Sequence, residues 1–199
     1  MIDTRDGTPI KPELLISYYK TGYTIAPASV NTVPVGLRMI AGDPNGSPLR
    51  KSGSTFFTCI NAVSGTGAHS LSIPNCVFGT ESLWMTVVFP QCWDGSNLDS
   101  PDHRSHMAYP SAGACPATHR VGIPEVSFNV IYAAPQAGSM SRWRLSSDTY
   151  DAGLPGGYSA HGDWFNGWKP DVMAAWVKNC DQAAKDCHAH LIGDGQMMY

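Results

Sequence analysis

A chain of 199 residues with a formal net charge of −3 and only 15% charged residues has no basic field to draw a phosphate backbone or an anionic membrane. Its longest apolar runs, such as Leu83 to Pro90 (LWMTVVFP), fall far short of the roughly 20 residues that span a bilayer. Twenty glycines and fifteen prolines interrupt the chain too often for many long helices, so strands and ordered loops are expected, in one domain over residues 1–199.

In chain order, Glu13 to Lys20 (ELLISYYK) reads as a strand. An extended, Pro-containing connection follows. Gly36 to Asp43 (GLRMIAGD) is a second strand that runs into the turn signal DPNGSP. Ser54 to Ile60 (STFFTCI), Leu83 to Phe89 (LWMTVVF) and Val126 to Ala133 (VSFNVIYA) are rich in β-branched and aromatic residues and are the expected central strands. Val172, Met173, Trp176, Val177 and Cys180 recur at helical spacing after Pro170, which suits a first helical turn, so a helix is predicted over Pro170 to Asn179, with a resumption considered through QAAKDCHAH. The expected fold is mainly β, a sandwich or jelly-roll-like pair of layers with long disulfide-closed loops and a C-terminal helix.

Six cysteines form an even set without a CxxC pair, which favours bridges over a zinc cage. About 15 connectivities are open. The simplest joins Cys59 to Cys76, Cys92 to Cys115 and Cys180 to Cys187, each closing a short local loop. Bridges imply an oxidising compartment, and a secreted protein is expected. The opening MIDTRDGTPI has no apolar targeting core, so either a signal has been trimmed or the chain is part of a longer precursor.

Two stretches concentrate candidate chemistry. Cys92 to His106 (CWDGSNLDSPDHRSH) carries a tryptophan, three aspartates and two histidines in a sequence whose DG, SN and SP pairs favour an irregular loop. Gly157 to Trp168 (GYSAHGDWFNGW) again sets a histidine and an aspartate among aromatic rings. Facing each other, the two stretches would line one polar cleft. Asp99 or Asp102, set against Asp163, could supply the acid and base of glycoside hydrolysis, and His103 and His161 are further candidate catalytic residues. Trp93, Tyr158, Trp164 and Trp168 offer flat faces to sugar rings, and Asn97 and Asn166 suit hydroxyls. His103 and His106, three residues apart, are candidate ligands for a divalent metal, the one cofactor considered. For each of these residues the plainer alternative is structural, because Asp and Asn close turns and Trp packs. His69, His119, His188 and His190 read as solvated or structural.

No GxSxG elbow, P-loop, dinucleotide fingerprint or HExxH zinc helix occurs. Three functional classes follow: an endo-acting hydrolase on β-glucan or cellulose, a non-catalytic polysaccharide- or wall-binding module, and a metal-dependent site on His103, His106 and His161. The expected partner is a polysaccharide, not nucleic acid or membrane, and a monomer is expected.

VPVGLRMIAGD, FPQCWDGSNLDSPDHRSHMAYP, CPATHRVGIPEV and GYSAHGDWFNGW together closely resemble the domain of unknown function numbered nineteen ninety-six, from about Ile16 to Cys180. The resemblance implies a secreted fungal or bacterial protein in a polysaccharide context, with links to cellulose or β-glucan breakdown and a suggested metal requirement. It places Trp93, Asp94, Asp99, His103, His106, His161, Asp163 and Asn166 at shared motif positions without assigning them roles. It also implies an N-terminal segment with an HxHxFFG-like motif, which this chain does not show before Met1.

Overall fold

The computed structural model describes residues 1–21, 23–48, 53–137, 139–149 and 153–187. The protein is mainly β: among the described residues strands make up 32% and helices 10%, the balance that the frequent glycines and prolines favour. In chain order the strands are β1 (Ile2–Asp3), β2 (Leu14–Lys20), β3 (Arg38–Gly42), β4 (Thr55–Asn61), β5 (His69–Ser70), β6 (Glu81–Val88), β7 (Cys92–Trp93), β8 (Met107–Ala108), β9 (Val121–Gly122), β10 (Glu125–Ala133), β11 (Trp143–Arg144) and β12 (His161–Phe165). A helix, α1 (Pro170–Trp176), follows and widens into a π-helical turn at Val177–Asp181.

The largest sheet has the order β2-β10-β6-β4-β5. The three strands expected to be central are its inner strands. β10 runs antiparallel to β6 with Asn129 opposite Thr86, and β6 runs antiparallel to β4 with Leu83 opposite Cys59. The Asn129 and Thr86 side chains are both buried and satisfy each other across the ladder, Thr86 Oγ1 donating to Asn129 Oδ1 at 2.7 Å. Smaller sheets pair β1 with β11, β12 with β3, and β7 with both β8 and β9.

The contacts gather into two compact units, each drawn from three stretches of chain. The first comprises residues 1–17, 41–88 and 127–162. Its core gathers Phe57, Ile73, Leu83, Val130, Tyr132, Met140, Trp143 and Ala160. The second comprises residues 18–40, 89–126 and 163–199, and among its described residues Leu37, Met39, Phe89, Cys92, Ile123, Met173 and Val177 are buried.

The three bridges are Cys59–Cys76, Cys92–Cys115 and Cys180–Cys187, and no described cysteine is free. No helix among the described residues is long and apolar enough to cross a membrane. The helix predicted to reach Asn179 does continue that far, but as a π turn, and residues 182–187 are not helical. His188 and His190 lie outside the described residues.

Gly42 has φ 76°, and a Cβ there would lie 2.1 Å from the Ala160 carbonyl oxygen. Gly42→Ala is therefore expected to cost more than about 2 kcal/mol in urea unfolding, by clash and left-handed strain together. Asp181 is 4% exposed, its Oδ2 has no hydrogen-bond partner among the described residues, and burial pushes its carboxyl up to about 6. A carboxyl raised in the folded state keeps its proton where the unfolded chain has already released one, so stability falls as pH rises from about 4 to about 6 and then levels. Urea titrations across that window should show the fall in the parent, on the order of 2 kcal/mol, and not in Asp181→Asn.

Candidate functional site

The acidic loop is built by its own backbone demands. β7 and β8 pair as Cys92 with Ala108 and Trp93 with Met107, and the Asp94 amide then donates to the His106 carbonyl at 3.0 Å, so the residues between form the loop of a hairpin. Asp94 Oδ1 accepts from the amides of Ser96 and Asn97, and its Oδ2 from the Asn97 side chain. Trp93 Nε1 donates to the Asn97 carbonyl at 2.6 Å. Asp102 Oδ1 takes four bonds, from the Ser100 hydroxyl, the Arg104 and Ser105 amides and the Ser105 hydroxyl, at 2.7–3.0 Å. Those bonds, led by the Ser105 amide, hold the Asp102 carboxyl far below the usual carboxylate range. Partial burial pushes Asp94 up, but the Asn97 and Ser96 bonds outweigh it and leave it lowered. Both aspartates are thus turn formers, fixed as anions. Asp102 Oδ1 is thereby taken up by the donors of its own loop.

His106 fastens this loop to the rest of the second unit. It is 1% exposed. Its Nε2 lies 2.7 Å from the Arg38 carbonyl, which can only accept, so Nε2 carries the proton. Its Nδ1 lies 2.8 Å from the Ser100 hydroxyl. The Arg38 amide donates to Leu98 at 2.9 Å, so the loop engages both backbone polar groups of one β3 residue. The Cys92–Cys115 bridge forms as expected and encloses the loop, and strand pairing and His106 fasten it as well.

β3 carries the other stretch on its second edge. The Asn166 amide donates to Leu37 at 2.8 Å and the Asp43 amide to Ala160 at 3.3 Å, an antiparallel register that sets Arg38 across from Phe165 and Ile40 across from Asp163. Alternation along β12 turns Asp163 and Phe165 outward and buries Trp164.

On the solvent side of the loop, Asp99 contacts an imidazole and a guanidinium. Its Oδ1 is 2.8 Å from His103 Nδ1 and its Oδ2 is 3.4 Å from Arg38 Nη1. The His103 bond, then the Ser100 amide and the nearby charges of His103 and Arg38, lower the Asp99 carboxyl. A carboxylate only accepts, so His103 Nδ1 holds the proton, and Nε2 has no partner among the described residues. The His103 side chain is 52% exposed, and its backbone has φ 55°, a region that non-glycine residues rarely adopt outside turns and functional sites.

Most of the other predicted binding residues are engaged inside the protein. Trp164 and Trp168 both donate from Nε1 to the Tyr19 hydroxyl, at 3.3 and 2.8 Å, and pack edge-on to its ring together with Trp176. Asn166 is buried, its amide donating to Val33 and Pro34. Tyr158 is buried in the first unit and donates to the Thr149 carbonyl. His161, also in that unit, places Nδ1 2.9 Å from the Ser159 carbonyl. Asn97 is exposed but shapes the Asp94 turn. Trp93 is half-buried. Asp163 is exposed and makes no ion pair among the described residues. His69 stacks on Phe56, and His119 Nε2 is 3.0 Å from the Ser105 carbonyl.

Arg38 and Phe165 belong to this surface and were not anticipated. Phe165 was legible in the alternation of HGDWF, whereas nothing local marks Arg38.

The donor set does not fit the divalent metal considered for His103 and His106. Both nitrogens of His106 are held by protein groups. Among the described residues the one trio of ligand atoms within 4.8 Å is Cys59, Cys76 and Glu81, and its two sulfurs form a disulfide.

The profile of a domain of unknown function, DUF1996, matches residues 5–168. The chain belongs to that family. The match contains the whole Arg38, Asp99, His103, Asp163 and Phe165 surface and stops before α1. No curated protein and no solved structure matches the chain significantly.

His106→Ala would leave the Arg38 carbonyl and Ser100 without their buried partner and open a cavity. A loss of about 2–4 kcal/mol in chemical unfolding is expected, and a loss below about 0.5 kcal/mol would remove His106 from its anchoring role.

Proposed function

We propose that the protein is a secreted, carbohydrate-active enzyme, an endo-acting hydrolase of β-glucan-type polysaccharide, in which the Asp99–His103 pair moves the proton. The observation that carries this reading is the 2.8 Å contact between Asp99 and His103 Nδ1, which leaves Nε2 open to solvent. Three disulfides support an extracellular setting. Trp93 and Phe165 supply accessible aromatic surface for a sugar ring, Phe165 being 73% exposed.

Among the described residues the carboxyl raised by its surroundings is Asp181, which is buried. We therefore assign proton donation to His103. In this scheme protonated His103 gives its Nε2 proton to the glycosidic oxygen as the bond to the anomeric carbon breaks. Water adds to that carbon and loses a proton to Asp163, the exposed carboxylate without a competing cation. One water is consumed per bond, and the proton taken by Asp163 returns through solvent to His103. Asp99 stays ionised throughout and keeps the ring oriented. Asp102 has no part in the proton transfers.

Product release from soluble and insoluble glucans tests the assignment. His103→Ala and Asp163→Asn should each lower turnover by about 10²–10⁴, Asp99→Asn should lower it less while shifting the pH profile, and chelator should change nothing. Full turnover in both His103→Ala and Asp163→Asn would sink the mechanism. Retention on polymer by the parent without any product would instead identify a binding module.

A further inference from the structure

A second aromatic feature of the second unit lies at the start of β10, apart in sequence from the acidic loop. Tyr18 and Lys20 are two residues apart on β2 and so share a face. Lys20 Nζ sits 5.1 Å from the Tyr18 ring centroid and 5.2 Å from that of Tyr23, between two phenol rings that are 37% and 71% exposed.

A lysine on a strand end normally samples many rotamers, at a side-chain entropy cost if it is held. Here a relay holds it. Glu125 Oε1 lies 3.6 Å from Lys20 Nζ, and Glu125 Oε2 accepts from Gln91 Nε2 at 2.6 Å. Gln91 is 3% exposed, and its Oε1 accepts from the Thr24 hydroxyl at 2.7 Å. That last bond fixes which end of the Gln91 amide faces Glu125. A buried amide thus sets a carboxylate, the carboxylate sets an ammonium, and the ammonium sits between two solvent-facing rings.

We propose that Tyr18, Lys20, Tyr23 and Glu125 form a binding platform for a neutral pyranose of a glucan chain. It rests on the polysaccharide reading above and adds a site that holds polymer. The rings supply apolar faces for the C–H surfaces of an equatorially substituted sugar. Lys20 and Glu125 supply a donor and an acceptor at the ring edge for its hydroxyls. The ammonium charge is balanced by Glu125, so the platform has no net charge with which to select an acidic polymer. Because the relay is already formed in the protein, little ordering remains to be done on binding.

The test is retention of the intact protein on microcrystalline cellulose and on an insoluble β-1,3-glucan, measured by depletion from solution. Tyr23→Ala should weaken retention about ten-fold, Tyr23→Phe should keep it, and retention should hold between about 0.05 and about 0.5 M salt. Tyr23 is largely exposed, and an unchanged unfolding midpoint will show that the variant is folded. Equal retention of the parent and Tyr23→Ala overturns the platform, and product release by the parent then leaves the proposed activity standing. Retention that disappears with salt overturns the neutral-sugar assignment. Neither retention nor product in the parent overturns both readings.

Discussion

The bond from His106 Nε2 to the Arg38 carbonyl decides where the acidic loop sits. It is made by a side chain with almost no solvent contact, and the second ring nitrogen is occupied by Ser100 from within the same loop. Breaking it would strand a carbonyl and a ring nitrogen away from water, which is far costlier than losing an exposed bond. Through it the loop docks on one edge of β3 while β12 pairs with the other. Asp99, His103, Arg38 and Phe165 can share a surface because both neighbours are indexed to the same β3 residue.

The concentration of titratable groups in a sparsely charged chain then separates into two kinds of work. Asp94 and Asp102 replace missing backbone acceptors in a hairpin loop too irregular to satisfy its own amides. Asp99 faces outward and orients a histidine. The same residue type serves both purposes because a carboxylate is a strong acceptor wherever it lies. What separates them is whether the donors around it are local amides or side chains that remain open to solvent.

The aromatic residues divide in the same way. Trp164, Trp168 and Trp176 surround Tyr19, with the first two indole N–H groups spent on its hydroxyl, so they stabilise the unit that carries the loop. Among the rings that do meet solvent are Phe165 and the Tyr18 and Tyr23 pair. Composition makes the chain aromatic. Packing selects which rings meet solvent.

The strands β4, β6 and β10, the start of the C-terminal helix, and the three local disulfides were all legible, because each depends on short-range signals: β-branched runs, a proline at a first turn, and cysteines that close small loops. The strand β12 lies inside Gly157 to Trp168, a stretch that was read for its chemistry and not assigned a strand, although its alternation was present. The widening of the helix after Trp176 left no readable mark. By itself the sequence determined a mainly β chain, its bridges and the two stretches rich in polar chemistry. Only the tertiary structure decided that His106 is a buried pin and His103 an exposed imidazole, because two imidazoles three residues apart look alike until the carbonyl of Arg38, 68 residues away in sequence from His106, claims one of them.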